Sequence, residues 1–148
     1  MPTQQQTELR DHLVICGLGH VGYRIADLLH RLGEPFTVIT RDIRPEWRIW
    51  IEATAKRFVE GDARLPSCLN AVGIASARAI LVVTDDDLVN IEIALDIQKL
   101  NPKIPLIVLV FDRYLADRAA REMRVRSVLS PALLTAPVFV AESQFPFM

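Results

Sequence analysis

The chain has 148 residues, 51% of them apolar and 24% charged, with 17 Lys and Arg against 18 Asp and Glu. That length buries one full core without staples, and a charge near zero offers no basic field for nucleic acid or an acidic membrane surface. Two cysteines and three histidines without ligand spacing point to reduced cytosolic thiols and no metal site, and no apolar run approaches the ~18 residues of a membrane span or forms a secretory core.

Residues 1–10, with three consecutive glutamines, read as a flexible leader to one domain over 11–143, and 144–148 as a frayed tail. Leu13, Val14, Ile15 and Cys16 form an apolar strand that runs directly into Gly17, Gly19 and Gly22. This Gly-x-Gly-x-x-Gly loop turns tightly at its first glycine, admits a pyrophosphate at its second and packs helix on strand at its third. Val21, Ile25, Leu28, Leu29 and Leu32 then fall on one helical face, and Gly33 stops the helix. Strand before and helix after make the glycines a phosphate cradle, with helix N–H groups and the positive dipole end facing the anion.

Phe36, Val38 and Ile39 begin a second strand. A dinucleotide fold that prefers NAD places Asp or Glu at its end, about 20 residues past the glycines. Here Thr40 and Arg41 occupy that place. Two readings fit: they accept NADP or another phosphorylated ribose, or Thr40 ends the strand and Arg41 sits on the surface. Asp42 could reach the ribose from two positions on.

A helix follows over 44–56, begun at Pro45, with Trp47, Ile51 and Ala55 on its face. Phe58 and Val59 form a third strand ending at Gly61 and Asp62. With Ala63 that turn lies at the adenine end of such a crevice, where Asp62 would bond the base or cap the short helix over 66–72. Gly73 closes that helix. A fourth strand over 79–83 is continuously apolar, as parallel strands covered on both faces are. Thr84, Asp85, Asp86 and Asp87 follow it, facing the pyrophosphate and the distal half of the ligand. Three adjacent carboxylates can hold a divalent ion or cap the next helix, and the spacing favours the cap. Asn90 would point back toward the same strand end.

The remaining elements are a helix over 87–100, a strand over 105–110, a helix over 112–123, a strand over 127–129 and a helix over 131–142 kinked at Pro137. Six strands alternating with helices predict an α/β fold of Rossmann type. It is a doubly wound parallel six-stranded sheet, order 3-2-1-4-5-6, between two helical layers. Two apolar stripes on the helix over 87–100 (Leu88, Ile91, Leu95 and Ile93, Ile97, Leu100) exceed what one sheet face needs and predict a homodimer.

Several strings together resemble the regulator-of-potassium-conductance domain, also called the RCK, KTN or Trk-type N-terminal domain. They are Val14 to Gly22, Gly61-Asp62-Ala63, Ala71 to Ala79, Asp85-Asp86-Asp87 with Asn90, and Leu129-Ser130-Pro131. The likeness runs from about His12 to Val140. It implies a cytosolic nucleotide sensor at the inner face of the membrane that regulates a potassium channel or transporter without being an enzyme. It further implies homodimers joined through the last helices, assembled into rings beneath a pore.

On that likeness NAD(H) or NADP(H), or else ATP, ADP or AMP, would meet Gly17, Leu18, Gly19, His20, Val21 and Gly22 at the phosphates. Thr40 and Arg41 would meet the ribose, Asp62 and Ala63 the adenine, and Thr84 and Asp85 the distal half. The chain departs from the family at Thr40, where an acidic residue is usual, and around the fifth strand, where Asp112 alone remains of a calcium-type carboxylate set. The family commonly continues into a small ligand-binding domain, which leaves open an isolated fragment or one module of a larger protein. The competing class is a fragment of an NAD(P)-dependent oxidoreductase, with His20 as a conceivable proton shuttle. No Tyr-x-x-x-Lys pair is present to support it.

Overall fold

The computed structural model describes residues 9–123 and 127–129. In chain order these form β1 (Leu13–Cys16), α1 (His20–Arg31), β2 (Phe36–Thr40), α2 (Pro45–Thr54), β3 (Arg57–Glu60) and α3 (Pro66–Ala71). A 3-10 turn (Ile74–Ser76) leads into β4 (Ala79–Val82), α4 (Asp87–Leu100), β5 (Leu106–Leu109), α5 (Arg113–Glu122) and β6 (Ser127–Leu129). The six strands make one parallel sheet in the order β3-β2-β1-β4-β5-β6, as the alternation predicts.

Every residue of β1, β2, β4 and β5 is buried, because helices cover both faces. Successive strand residues point to opposite sides and sort into two cores. Leu13, Ile15, Val38 and Leu81 pack with Ile25 and Leu29 of α1 and Ile51 of α2. Val14, Cys16, Ile80, Val82 and Val108 pack with Leu69 of α3, Ile93 and Ile97 of α4, and Ala116 and Ala119 of α5. Burial pushes the Cys16 thiol up to about 12, so it is a small core side chain and not a nucleophile.

The helix ends follow local chemistry. α1 stops at Gly33, whose positive φ of 72° lets Gly33 N–H donate to the His30 carbonyl and Glu34 N–H to that of Leu29. Pro45 and Pro66 open α2 and α3. At the edge opposite the strand C-termini, buried His12 Nε2–H and Thr37 Oγ1–H both donate to the Val72 carbonyl, at 2.9 and 3.0 Å. That ties α3 to the starts of β1 and β2. Burial lowers the His12 pKa despite this bond, so the ring is neutral.

The observed elements differ from those expected by a residue or two at their ends, and the 3-10 turn is an addition. The leader to residue 8, the helix over 131–142 with its Pro137 kink, and the tail lie outside the described residues.

Candidate functional site

The site is built at the C-terminal ends of the strands. Gly17 extends β1, donating its N–H to the Ile39 carbonyl at 2.8 Å, and turns the chain at a φ of 100°. A Cβ there would stand 2.8 Å from the Thr84 backbone nitrogen, so only glycine fits between β1 and β4. A Cβ on Gly22 would come within 2.1 Å of the Gly17 carbonyl oxygen, which is how closely α1 packs on the strand it follows. Gly19 is the N-cap of α1. No side chain caps this helix and its first turn holds no acidic residue, while His30 and Arg31 lie in its last turn. The helix therefore presents unpaired N–H groups and a positive dipole end to an anion. The Asp85 carboxylate oxygens lie 3.1 Å from where a Gly19 Cβ would be, placing one acidic group beside the loop.

At the end of β2, Thr40 is buried with its hydroxyl in use. Oγ1 accepts from Leu18 N–H at 3.3 Å and donates to the Asp42 carbonyl at 2.9 Å. Thr40 thus holds the glycine loop against β2. Arg41 and Asp42 are exposed beside it, and neither side chain makes a hydrogen bond among the described residues. Arg44, the residue before Pro45, donates to His20 Nε2 at 3.1 Å and lies over the Trp47 ring at 4.9 Å. Trp47 stacks on Tyr23 of α1, centroids 4.4 Å apart, and meets His20 edge-on. The His20 imidazole is held by these two contacts.

At the end of β3, Gly61 N–H donates to the Thr40 carbonyl at 2.8 Å, and a Cβ at residue 61 would stand 2.9 Å from the Cys68 sulfur, which would have to turn aside. Asp62 accepts from the Arg64 guanidinium, Nη2 at 2.8 Å and Nε at 3.0 Å, and from Arg64 N–H at 2.9 Å. Those bonds, the guanidinium first, hold its carboxyl down to about 2. Arg64 also reaches Glu92 of α4. Asp62 does not cap α3, whose N-cap is Leu65 without a side-chain bond.

The acidic run after β4 divides its labour. Asp86 caps α4, accepting from Leu88 and Val89 N–H at 3.0 and 3.1 Å. Asp87 accepts from Phe111 N–H at 2.6 Å and Asp112 N–H at 2.8 Å, bracing the turn after β5. Asp112 in turn caps α5. Asp85 is left to face the glycine loop. Asn90 is fully buried: its Nδ2 donates to the Thr84 and Leu109 carbonyls at 3.0 and 2.8 Å, and its Oδ1 accepts from Thr84 N–H and Oγ1–H. No group of three His, Cys, Asp or Glu able to hold a metal occurs among the described residues.

These strand ends enclose a cavity of about 530 Å³. Of the residues expected at a nucleotide, Gly17, Leu18, Gly19, His20, Thr40, Arg41, Asp62, Ala63, Thr84 and Asp85 line it. Val21 and Gly22 do not, Gly22 acting through the packing of α1. Lining residues that the sequence reading passed over are Ile43, Arg44, Trp47, Val89 and Ile93. Trp47 was legible only as a helix-face residue. The one signal was Pro45, which starts α2 right after β2 and turns its first residues toward the crevice. An open anion end, close glycine backbone and a volume in the range of small-molecule sites fit a nucleotide.

The TrkA-N domain family model matches residues 13–131. Potassium channel protein 1 of Methanocaldococcus jannaschii is 31% identical over 104 residues, covering 68% of this chain and 30% of its own length. The crystal structure of the TrkA-N domain of inner membrane protein ybaL from Escherichia coli superposes with a TM-score of 0.76 at 18% identity, over 91% of this chain and 98% of that one. GsuK bound to ADP is 27% identical with a TM-score of 0.69, over 95% of this chain and 35% of that one. A GsuK channel structure bound to NAD matches at 21% identity and a TM-score of 0.68, over 84% and 22%. The chain thus spans about a third or less of the channel proteins it matches.

Proposed function

The chain belongs to the TrkA-N domain family, and on that premise we propose that it is the nucleotide-sensing module of a potassium channel or transporter. One observation carries the reading. Segments from the ends of β1, β2, β3 and β4 meet at one cavity, beside a helix N-terminus that no side chain caps. Gly17 and Gly19 would pass the phosphates, with Leu18 and His20 beside them. Thr40 and Arg41 would stand at the ribose, Asp62 and Ala63 at the adenine, and Thr84 and Asp85 at the distal half. NAD bound to one relative and ADP to another structure of it support an adenine nucleotide as ligand. The domain would work in the cytoplasm and act on the membrane through a partner; no helix among the described residues is long and apolar enough to cross a bilayer.

A sensor needs only different nucleotide affinities in two conformations to bias an attached pore. No residue is assigned a catalytic role, and nucleotide incubated with the protein should be recovered unchanged. Gly19→Asp tests the site. Residue 19 has a φ of −84°, aspartate is a good N-cap for α1, and the exposed Asp85 carboxylate 3.1 Å from the new Cβ is a side-chain end that can swing away, so the variant should fold. Its carboxylate would fill the anion end and abolish binding in a calorimetric titration. Unchanged affinity would refute the cradle. At 100 times its dissociation constant a bound nucleotide stabilises by about 2.7 kcal/mol, a melting shift of a few degrees. In the reconstituted transport protein, potassium flux should depend on nucleotide, and Gly19→Asp should remove that dependence.

A further inference from the structure

We propose that the β2 end of the cavity selects a nucleotide carrying a phosphate on its adenosine ribose, NADP(H) over NAD(H), with Arg41 and Arg44 as the specificity-determining pair. The inference rests on the nucleotide reading above and narrows it.

Its first support is what Thr40 does. The position where a carboxylate would receive two ribose hydroxyls holds a hydroxyl that is buried and already bonded to Leu18 N–H and the Asp42 carbonyl. That residue fixes the loop; its hydroxyl proton is spent on the Asp42 carbonyl and one lone pair on Leu18 N–H, so it cannot receive two ribose hydroxyls as a carboxylate would. It also brings no negative charge to repel a phosphate.

The second support is charge. Five arginines of the described residues are met by carboxylates: Arg31 by Asp27, Arg48 by Glu60, Arg64 by Asp62, Arg78 by Glu34 and Arg118 by Glu122. The two that line the cavity have no such partner. Arg44 is held by a histidine nitrogen and an indole face, which orient the guanidinium without neutralising it. Arg41 makes no hydrogen bond, and its field adds only the smallest of the effects that depress Asp62. The carboxylates lining this end are Asp42 and Asp62, and Asp62 is already neutralised by Arg64. Two guanidinium charges therefore face one unpaired carboxylate. A dianionic phosphate monoester answers that imbalance with charge-assisted, bidentate bonds, and a bare ribose does not.

Both a 2′-phosphate, as in NADP(H), and a 3′-phosphate share this chemistry, so the titration should separate them. Calorimetry with NADPH, NADH, 2′,5′-ADP, 3′,5′-ADP and ADP should show NADPH binding about tenfold or more tighter than NADH, and 2′,5′-ADP the tightest of the small probes. The NADPH advantage should shrink with added salt. In Arg41→Ala/Arg44→Ala, checked for fold by circular dichroism, the NADH-to-NADPH ratio of dissociation constants should fall close to one. NADH binding as tightly as NADPH, a preference for 3′,5′-ADP, or a ratio untouched by the double substitution would each overturn the inference while leaving the nucleotide site standing. Failure of every probe, ADP included, to bind at about 1 mM would remove the nucleotide reading itself.

Discussion

Gly22 and Gly33 show how differently two glycines can matter. An alanine at Gly22 would drive its Cβ to 2.1 Å from the Gly17 carbonyl oxygen, so α1 must lift from β1. Gly22→Ala should cost about 1–3 kcal/mol in denaturant unfolding and weaken nucleotide binding as the loop shifts. Gly33→Ala meets nothing within 4 Å and carries only the strain of a positive φ, about 1–2 kcal/mol, with binding untouched. Asn90→Ala should be costlier than an average substitution, about 2 kcal/mol, because it strands the buried Leu109 carbonyl and removes the bonds that hold the Thr84 N–H and carbonyl at the cavity edge. At this scale the glycines were legible, since their spacing is a backbone requirement. So was a capping role for the acidic run, though not that Asp86 takes it in place of Asp87. The partners of Thr40, Arg44 and Asp62 were not, because each is set by a neighbour the fold brings alongside or by a local turn that leaves no pattern in the sequence.

Strands and helices were the most legible level, and the reason is visible in β1, β4 and β5. Buried on both faces, they are unbroken runs of aliphatic side chains that stand out between helical patterns. Their ends shifted by a residue because the last ladder bonds depend on the neighbouring strand. The 3-10 turn after Gly73 is too short to show a period. The junction of β1, β2 and α3 carries a pH prediction. His12 is neutral when folded, its pKa lowered from 6.5, so the unfolded chain binds more protons as pH falls through that value. Stability should therefore be full above about pH 7 and decline below 6.5 toward the lowered folded value. Melting temperatures followed from pH 7.5 to 5 should show this decline, and His12→Gln should flatten it. An unchanged slope in the variant would assign the effect elsewhere.

The two stripes of α4 separate only in part: Ile91 of the first packs partly against the core, and Leu100 of the second is 49% exposed. Ile93, Ala94 and Ile97 are buried against the sheet, while Leu88 is 67% and Leu95 42% exposed on the outer side, with Tyr114 of α5 also exposed. We expect a homodimer in solution, seen as twice the chain mass by light scattering at micromolar concentration. Leu88→Glu with Leu95→Glu should weaken association at least tenfold if that face contributes, since each buried leucine is worth about 1.5–3 kcal/mol. A monomer for the unaltered chain would count against it. The run after β4 also sets how far a signal must travel. Asp85 looks into the cavity, Asp86 and Asp87 knit the helix start to the next turn, and Leu88 already faces outward. A phosphate bound at the glycine loop would push the Asp85 carboxylate aside and so pull on the first residues of a helix whose outer surface begins three positions later. On the proposed reading, less than one helical turn would separate the ligand from a second copy docked on that face.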